Sequence, residues 1–175
     1  MEDALKAFEA KGWERSEFFD YSKEEHNTYV LRGTFYNRRD CKIYIIPTLN
    51  NNNIVGKIGI YMPEQDTFKD LKNQYDDLKA ALSEKYHMVS STESFDDESV
   101  GEGTFDELKL MAISRNEAKF TTEFHLSENK DDDLLGFIRL LIGHTKVKDN
   151  DYFYVIILYC TYDDIMEQIN ASDDL

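Results

Sequence analysis

Proline, cysteine, long apolar runs and positive charge are all scarce in this chain, and each shortage excludes something. Two prolines and eight glycines in 175 residues rule out a collagen-like or proline-rich disordered polymer. Two cysteines, Cys41 and Cys160, are too few for a disulfide framework. Each sits inside a segment that reads as strand, so buried thiols are expected, with one bridge as the minority alternative if the fold brings the strands together. No apolar run approaches the ~20 residues that cross a bilayer, which speaks against membrane insertion. The opening MEDALKAFEAKGW carries acids at positions 2 and 3 and no apolar core segment, unlike a signal peptide. The expected location is the cytoplasm, or the periplasm or cell envelope if a leader was removed ahead of Met1.

Positive charge is short overall and absent where it would matter most. The formal net charge is −15. Residues 1–86 hold 13 Lys and Arg against 15 Asp and Glu, whereas 87–175 hold 7 against 20. That second half repels a phosphate backbone, which excludes nucleic acid as its partner and disfavours anionic membranes. What is abundant is aromatic: 11 Tyr and 11 Phe, a generous supply of strand formers.

The order of segments reads as α+β. Residues 3–11 form a short helix with Ala4, Leu5 and Phe8 on one face. Alternating segments at 28–36, 41–48 and 54–62, joined by turns around Asn37–Asp40 and the asparagine run 50–53, read as an antiparallel meander. WERSEFFDY (13–21) adds a candidate edge strand. Phe68, Leu71, Tyr75, Leu78 and Leu82 step by three and four, which predicts a helix over 67–86 with one buried stripe, capped by Thr67 with Asp70. A strand at 86–94 leads to the polar loop DDESVGEG. Thr104 to Glu107 then forms a capping box opening a helix through Ser114, with Phe105, Leu108 and Met111 inward. Strands near 118–127, 135–146 and 151–161 follow, then a short helix, DDIMEQI. DLLGFIRLLIG could be an Asp-capped helix, but Gly136 inside it and its alternating neighbours favour a strand. The run DYFYVIILYCTYDD (151–164) is apolar on both faces, which places it in the sheet interior with a layer on each side.

The two halves thus repeat one plan, tandem α-β-β-β units with antiparallel meander sheets packed against helices. Residues 1–86 form the first α-β-β-β-α unit and 87–175 the second, strongly acidic one, packed with it as one body. Whether they share one sheet stays open. In architecture this resembles the tandem repeats of β-lactamase inhibitor proteins. LKAFEAKGW (5–13) and PEQDTFKDLKNQYDDLKAALSEKY (63–86), with the meander between them, resemble a family of uncharacterised small α+β proteins from gut bacteria. The resemblance implies a structural kinship without a catalytic motif. It also implies an exported or envelope setting, although the extra first strand and export signal of such relatives are missing here.

No sequence pattern supports catalysis. There is no GxSxG, HExxH, HxH or CxxC, and His26, His87, His125 and His144 are scattered. VGKIG lacks the upstream glycine of a phosphate loop, and VGEG places a carboxylate where phosphate would approach. Asp163 and Asp164 are adjacent, read as a helix cap and not a glycosidase pair. DDESVGEGTFDE nearly follows a calcium-loop spacing, with Asp96, Glu98, Gly101 and Glu107 at the first, third, sixth and twelfth places. Val100 supplies no ligand at the fifth, and a strand precedes the loop, so Asp96, Glu98 and Glu107 are only a weak calcium candidate, and no cofactor is expected. The favoured reading is a non-enzymatic interaction module, an inhibitor or immunity-type protein that binds a basic protein. Its expected contact is an acidic face built from Asp131, Asp132, Asp133, Asp149 and Asp151, with Tyr152 nearby. The alternative is a small-ligand-binding or envelope protein with a pocket between the halves, to which His125 or His144 would contribute.

Overall fold

The computed structural model describes residues 1–15, 28–48, 54–101, 103–126 and 136–161. In chain order the elements are α1 (Glu2–Glu9), β1 (Glu14–Arg15), β2 (Tyr29–Phe35), β3 (Arg38–Pro47), β4 (Val55–Tyr61), α2 (Phe68–Ser83), β5 (Met88–Phe95), α3 (Asp106–Ser114), β6 (Ala118–His125), β7 (Gly136–Val147) and β8 (Asn150–Thr161). The asparagine run, most of WERSEFFDY and the DDIMEQI segment lie outside the described residues.

All strands join one antiparallel sheet, ordered β1-β2-β3-β4-β8-β7-β6-β5. Two meanders therefore meet at a seam where β4 pairs with β8, Ile60 opposite Ile157 and Gly59 opposite Leu158. The α+β plan of tandem meander units is present, and the two halves share one continuous sheet. Each unit carries a fourth strand at its outer edge: β1, where Glu14 and Arg15 pair with Arg32 and Leu31, and β5, paired with β6.

Alternation explains the layering. Leu31, Cys41, Ile43, Ile45, Ile60, Phe124, Ile138, Leu140, Val155 and Ile157 all project to one side. There they form a single core with Leu5 of α1, Leu71, Tyr75 and Leu78 of α2, and Ile113 of α3. All three described helices thus cover the same face of the sheet. The interior position predicted for residues 151–161 is correct, whereas the second covering layer is not among the described helices. Cys41 lies on the helix side and Cys160 on the other, so the two form no disulfide with each other. Burial pushes the Cys41 thiol up, and its Sγ donates to the Arg38 carbonyl at 3.2 Å.

α2 forms as its stripe predicts, burying Phe68, Leu71, Tyr75, Leu78 and Leu82. Thr67 Oγ1 accepts from the Asp70 amide at 3.1 Å and donates to the Asp70 carboxylate at 2.8 Å. The helix packs on β6, β7 and β8, so by its contacts it belongs with the second meander. From Gly136 on, the strand reading of DLLGFIRLLIG holds as well: Gly136 opens β7 at φ +148°, and a Cβ there would lie 2.0 Å from the Cys160 carbonyl oxygen.

α3 overturns two expectations. Thr104 does not cap it: its hydroxyl accepts from the Gly101 amide and donates to the Ser99 carbonyl. The helix starts one residue beyond Phe105 without a side-chain cap. Phe105, Leu108 and Met111 face outward, at 76, 47 and 43% exposure, while Ala112 and Ile113 are buried. The run LKLMAI is apolar on several sides, so its spacing offers no unique inward face. Burial of Ala112 and Ile113 decides the rotation, and Lys109 lies one turn back on that side, its ammonium 5.1 Å from the Phe68 ring.

Candidate functional site

The face of the sheet that the described helices leave uncovered carries the other half of each alternating pattern. On β3 these are Lys42, Tyr44 and Ile46, on β4 Lys57, Gly59 and Tyr61, and on β8 Tyr152, Tyr154, Ile156 and Leu158. Three tyrosines from three adjacent strands touch in series across the seam. Tyr44 and Tyr61 have ring centroids 4.8 Å apart at 59°, and Tyr61 and Tyr154 are 5.7 Å apart at 65°. Gly59 gives the row its room: a Cβ there would meet Leu158, Tyr61 and Tyr44 at 3.3 to 4.0 Å. Burial, and then the neighbouring Tyr154, push the Tyr61 phenol up, so it stays a neutral donor at physiological pH.

The tyrosine row floors a concavity of about 740 Å³ whose walls also include Arg32, Asp40, Lys42, Glu64, Thr145 and Tyr152. Both meanders contribute to it, β2 to β4 on one side and β7 and β8 on the other. Two acids and two bases balance its charged lining. Such a site offers ring faces and hydroxyls to an extended or flat group, with charge of either sign at the rim.

Of the residues the sequence singled out, Tyr152 lines this concavity and Asp149 and Asp151 are exposed on the adjoining β7–β8 hairpin. Asp151 pairs in register with Lys146, and Lys148 occupies the turn at φ 57°. The described part of the expected acidic patch is therefore interleaved with lysine. Asp131, Asp132 and Asp133 lie outside the described residues. His144 sits on the helix side opposite Phe153, and His125 stacks near His87 with centroids 5.9 Å apart; neither lines the concavity.

The acids around the weak calcium candidate do other work. Asp97 accepts from the Ser99 amide at 2.8 Å, and hydrogen bonding from Ser99 holds its carboxyl below the ordinary range. Asp106 accepts from the Lys69 amide at 3.1 Å, capping the first turn of α2 from a distance. Among the described residues, no group of three or more His, Cys, Asp or Glu side chains is placed to hold a metal ion.

A second polar constellation joins α2 to β5 and β6. Tyr75 Oη lies 2.6 Å from Thr122 Oγ1, which lies 2.9 Å from Ser91 Oγ, to which Lys79 Nζ donates at 2.8 Å. Lys79 and Lys72 also both bind Glu93. A serine beside a lysine invites comparison with a nucleophile and its base. Burial opposes ionisation of Glu93, but hydrogen bonds from Lys79 and Lys72 outweigh it and hold its carboxyl low. Lys79 donates to both Ser91 and Glu93, so it meets the serine as a hydrogen-bond donor and not as a base. The constellation is a staple between helix and sheet. Burial at its inner end pushes the Tyr75 phenol up to about 12.

The tyrosine row was missed in the sequence because it depends on β4 lying beside β8. Alternation alone places Tyr44 opposite in phase to Ile43 and Ile45, and Tyr152 and Tyr154 together on one face; only the seam adds Tyr61 between them. No protein-family model, no curated protein and no solved structure matches the chain. The likeness to gut-bacterial α+β proteins thus rests on the two quoted stretches and the meander between them. Among the described residues no helix is long and apolar enough to cross a membrane.

Proposed function

We propose that this chain is a non-enzymatic protein-interaction module that holds a partner segment in the tyrosine-floored concavity at the seam of its sheet. One observation carries the reading: Tyr44, Tyr61 and Tyr154 touch in series on the face that the described helices leave uncovered. Aromatic side chains and Arg are enriched at the centres of protein interfaces, where they bury area at low conformational cost. The net charge of −15 favours a basic partner by steering encounters at long range, and Asp40 and Glu64 in the lining offer such a partner carboxylates on contact. An inhibitor or immunity-type protein that blocks a basic effector is the concrete form of this reading.

The test is a pull-down from a lysate of the source organism with wild-type protein and a Tyr61→Ala/Tyr154→Ala double variant, washed at stepwise salt. A stoichiometric basic partner retained by the wild type, released at high salt and absent from the double variant is the expected result, with the double variant still cooperatively folded. Equal retention by both proteins sinks the reading. A second reading, a small-ligand site, is favoured by the volume of about 740 Å³, which lies within the usual range for such pockets. It predicts a ligand-dependent rise in melting temperature in a metabolite screen, abolished by the same double variant.

A further inference from the structure

The sheet ends in two edges that differ in kind. At β1 only Glu14 and Arg15 are paired among the described residues, both charged, with Arg15 tied to Glu9. A short, charged edge resists further pairing. The opposite edge, β5, is eight residues long, MVSSTESF, with Val89 to Ser94 all exposed. It contains no proline and no lysine, and its one charge, Glu93, is turned to the helix side and neutralised by Lys72 and Lys79. The devices that normally protect an edge are absent from its central part.

The backbone phase of that edge can be read. The Asp96 amide donates to the Glu117 carbonyl at 2.8 Å, so residue 96 turns its polar groups toward β6. Alternation then turns the N–H and C=O groups of Ser91, Glu93 and Phe95 outward, while those of Thr92 and Ser94 point inward to β6. An incoming antiparallel strand must match this phase. We propose that β5 pairs with β5 of a second copy of this chain about a two-fold axis through Thr92, joining the two sheets into one.

Three features favour that occupant and that register. Ser91 comes opposite Glu93 of the second copy, and the reverse, so both narrow hydrogen-bonded pairs form from outward-facing groups. Lys79, which donates to Ser91, then approaches the second copy's Glu93, giving opposite charges on both sides of the axis. Exposed Val89, at the register shift between Met88 and Ser90, and half-buried Phe95 bring apolar surface to the two ends of the joined ladder. Centring the axis on Glu93 instead would set like charges face to face. The rest of each chain repels its copy through the net charge, so this dimer strengthens with salt, whereas binding of a basic partner weakens with it.

Thr92 projects from the face opposite the described helices, and its polar groups point inward, so in the joined sheet it opposes itself as a non-hydrogen-bonded pair. Cα atoms in such a pair are about 4.5 Å apart, within the span of a disulfide. The experiment is sedimentation of the full chain at low and high salt, together with diamide oxidation of Thr92→Cys, Ser90→Cys and Ser94→Cys. Cys41 and Cys160 are buried and do not compete. The expected result is a dimer that gains population with salt and is lost in Thr92→Lys. Thr92→Cys should link to itself, whereas Ser90→Cys should link to Ser94→Cys and neither of these to itself. A monomer under all conditions, a dimer indifferent to Thr92→Lys, or self-linkage at Ser90 overturns the proposal, including the case in which another protein's strand occupies the edge.

Discussion

The two faces of the sheet are built from the same strands and have opposite properties. On β8, Phe153, Val155 and Ile157 enter the core under α2, while Tyr154, Ile156 and Leu158, one residue along each time, face the side without a described helix. On β3, Ile43 and Ile45 are fully buried, and Tyr44 between them belongs to the tyrosine row. The helix-covered core lies on one face and the tyrosine row on the other, at single-residue resolution. Neighbouring substitutions should therefore fall into separate classes.

The largest effect expected is on the helix side. Ile157→Ala, at 1% exposure, should cost about 2–5 kcal/mol in urea unfolding. Leu158→Ala, its neighbour on the other face and only half-buried, should cost under about 1.5 kcal/mol. Equal losses would mean that both faces are packed alike and would remove the distinction.

The apolar face holds one unpartnered intruder. Gln74 is 1% exposed, and neither its side-chain oxygen nor its nitrogen has a partner among the described residues. Gln74→Met, of similar volume, should raise stability by about 1–3 kcal/mol, since an unsatisfied buried amide costs roughly that much. A loss of stability would show that the amide is satisfied in solution.

Tyr75→Phe is the finest probe. Removing the hydroxyl should cost about 0.5–1.5 kcal/mol through the bond to Thr122. It should also alter the alkaline limb of stability. The Tyr75 and Tyr159 phenols are both pushed up to about 12, by burial first, against about 10 in an unfolded chain. The native state thus holds these protons more tightly than the unfolded state does. Their contribution is complete below pH ~10 and is lost as pH rises toward 12. Denaturation midpoints in that window should fall less steeply for Tyr75→Phe, and an unchanged slope would place the titration elsewhere.

The same contrast explains what could be read from the sequence. Segments whose alternation or stripe had one solution were legible: α2, the strands of both meanders, and the central position of residues 151–161. The rotation of α3 was not, because Leu110 to Ile113 is apolar all round and only packing against β6 and β7 decides which side goes in. The tyrosine row was half legible, since each strand announced the side its tyrosines take but not its neighbour in the sheet. Charge counting could not see strand register, which brings Lys146 beside Asp151 on the described hairpin.

The seam between β4 and β8 also constrains the path by which the chain assembles. Each meander is made of local hairpins, which close quickly. The β4–β8 ladder joins segments almost a hundred positions apart, and contacts of that span slow folding because the intervening loop must be closed first. Of the described elements, β8 is the last to leave the ribosome. Until it arrives, β4 is a bare apolar edge and the tyrosine row lacks its third ring. Delivery of one strand thus joins the two meanders, covers the bare β4 edge and completes the tyrosine row in a single late event.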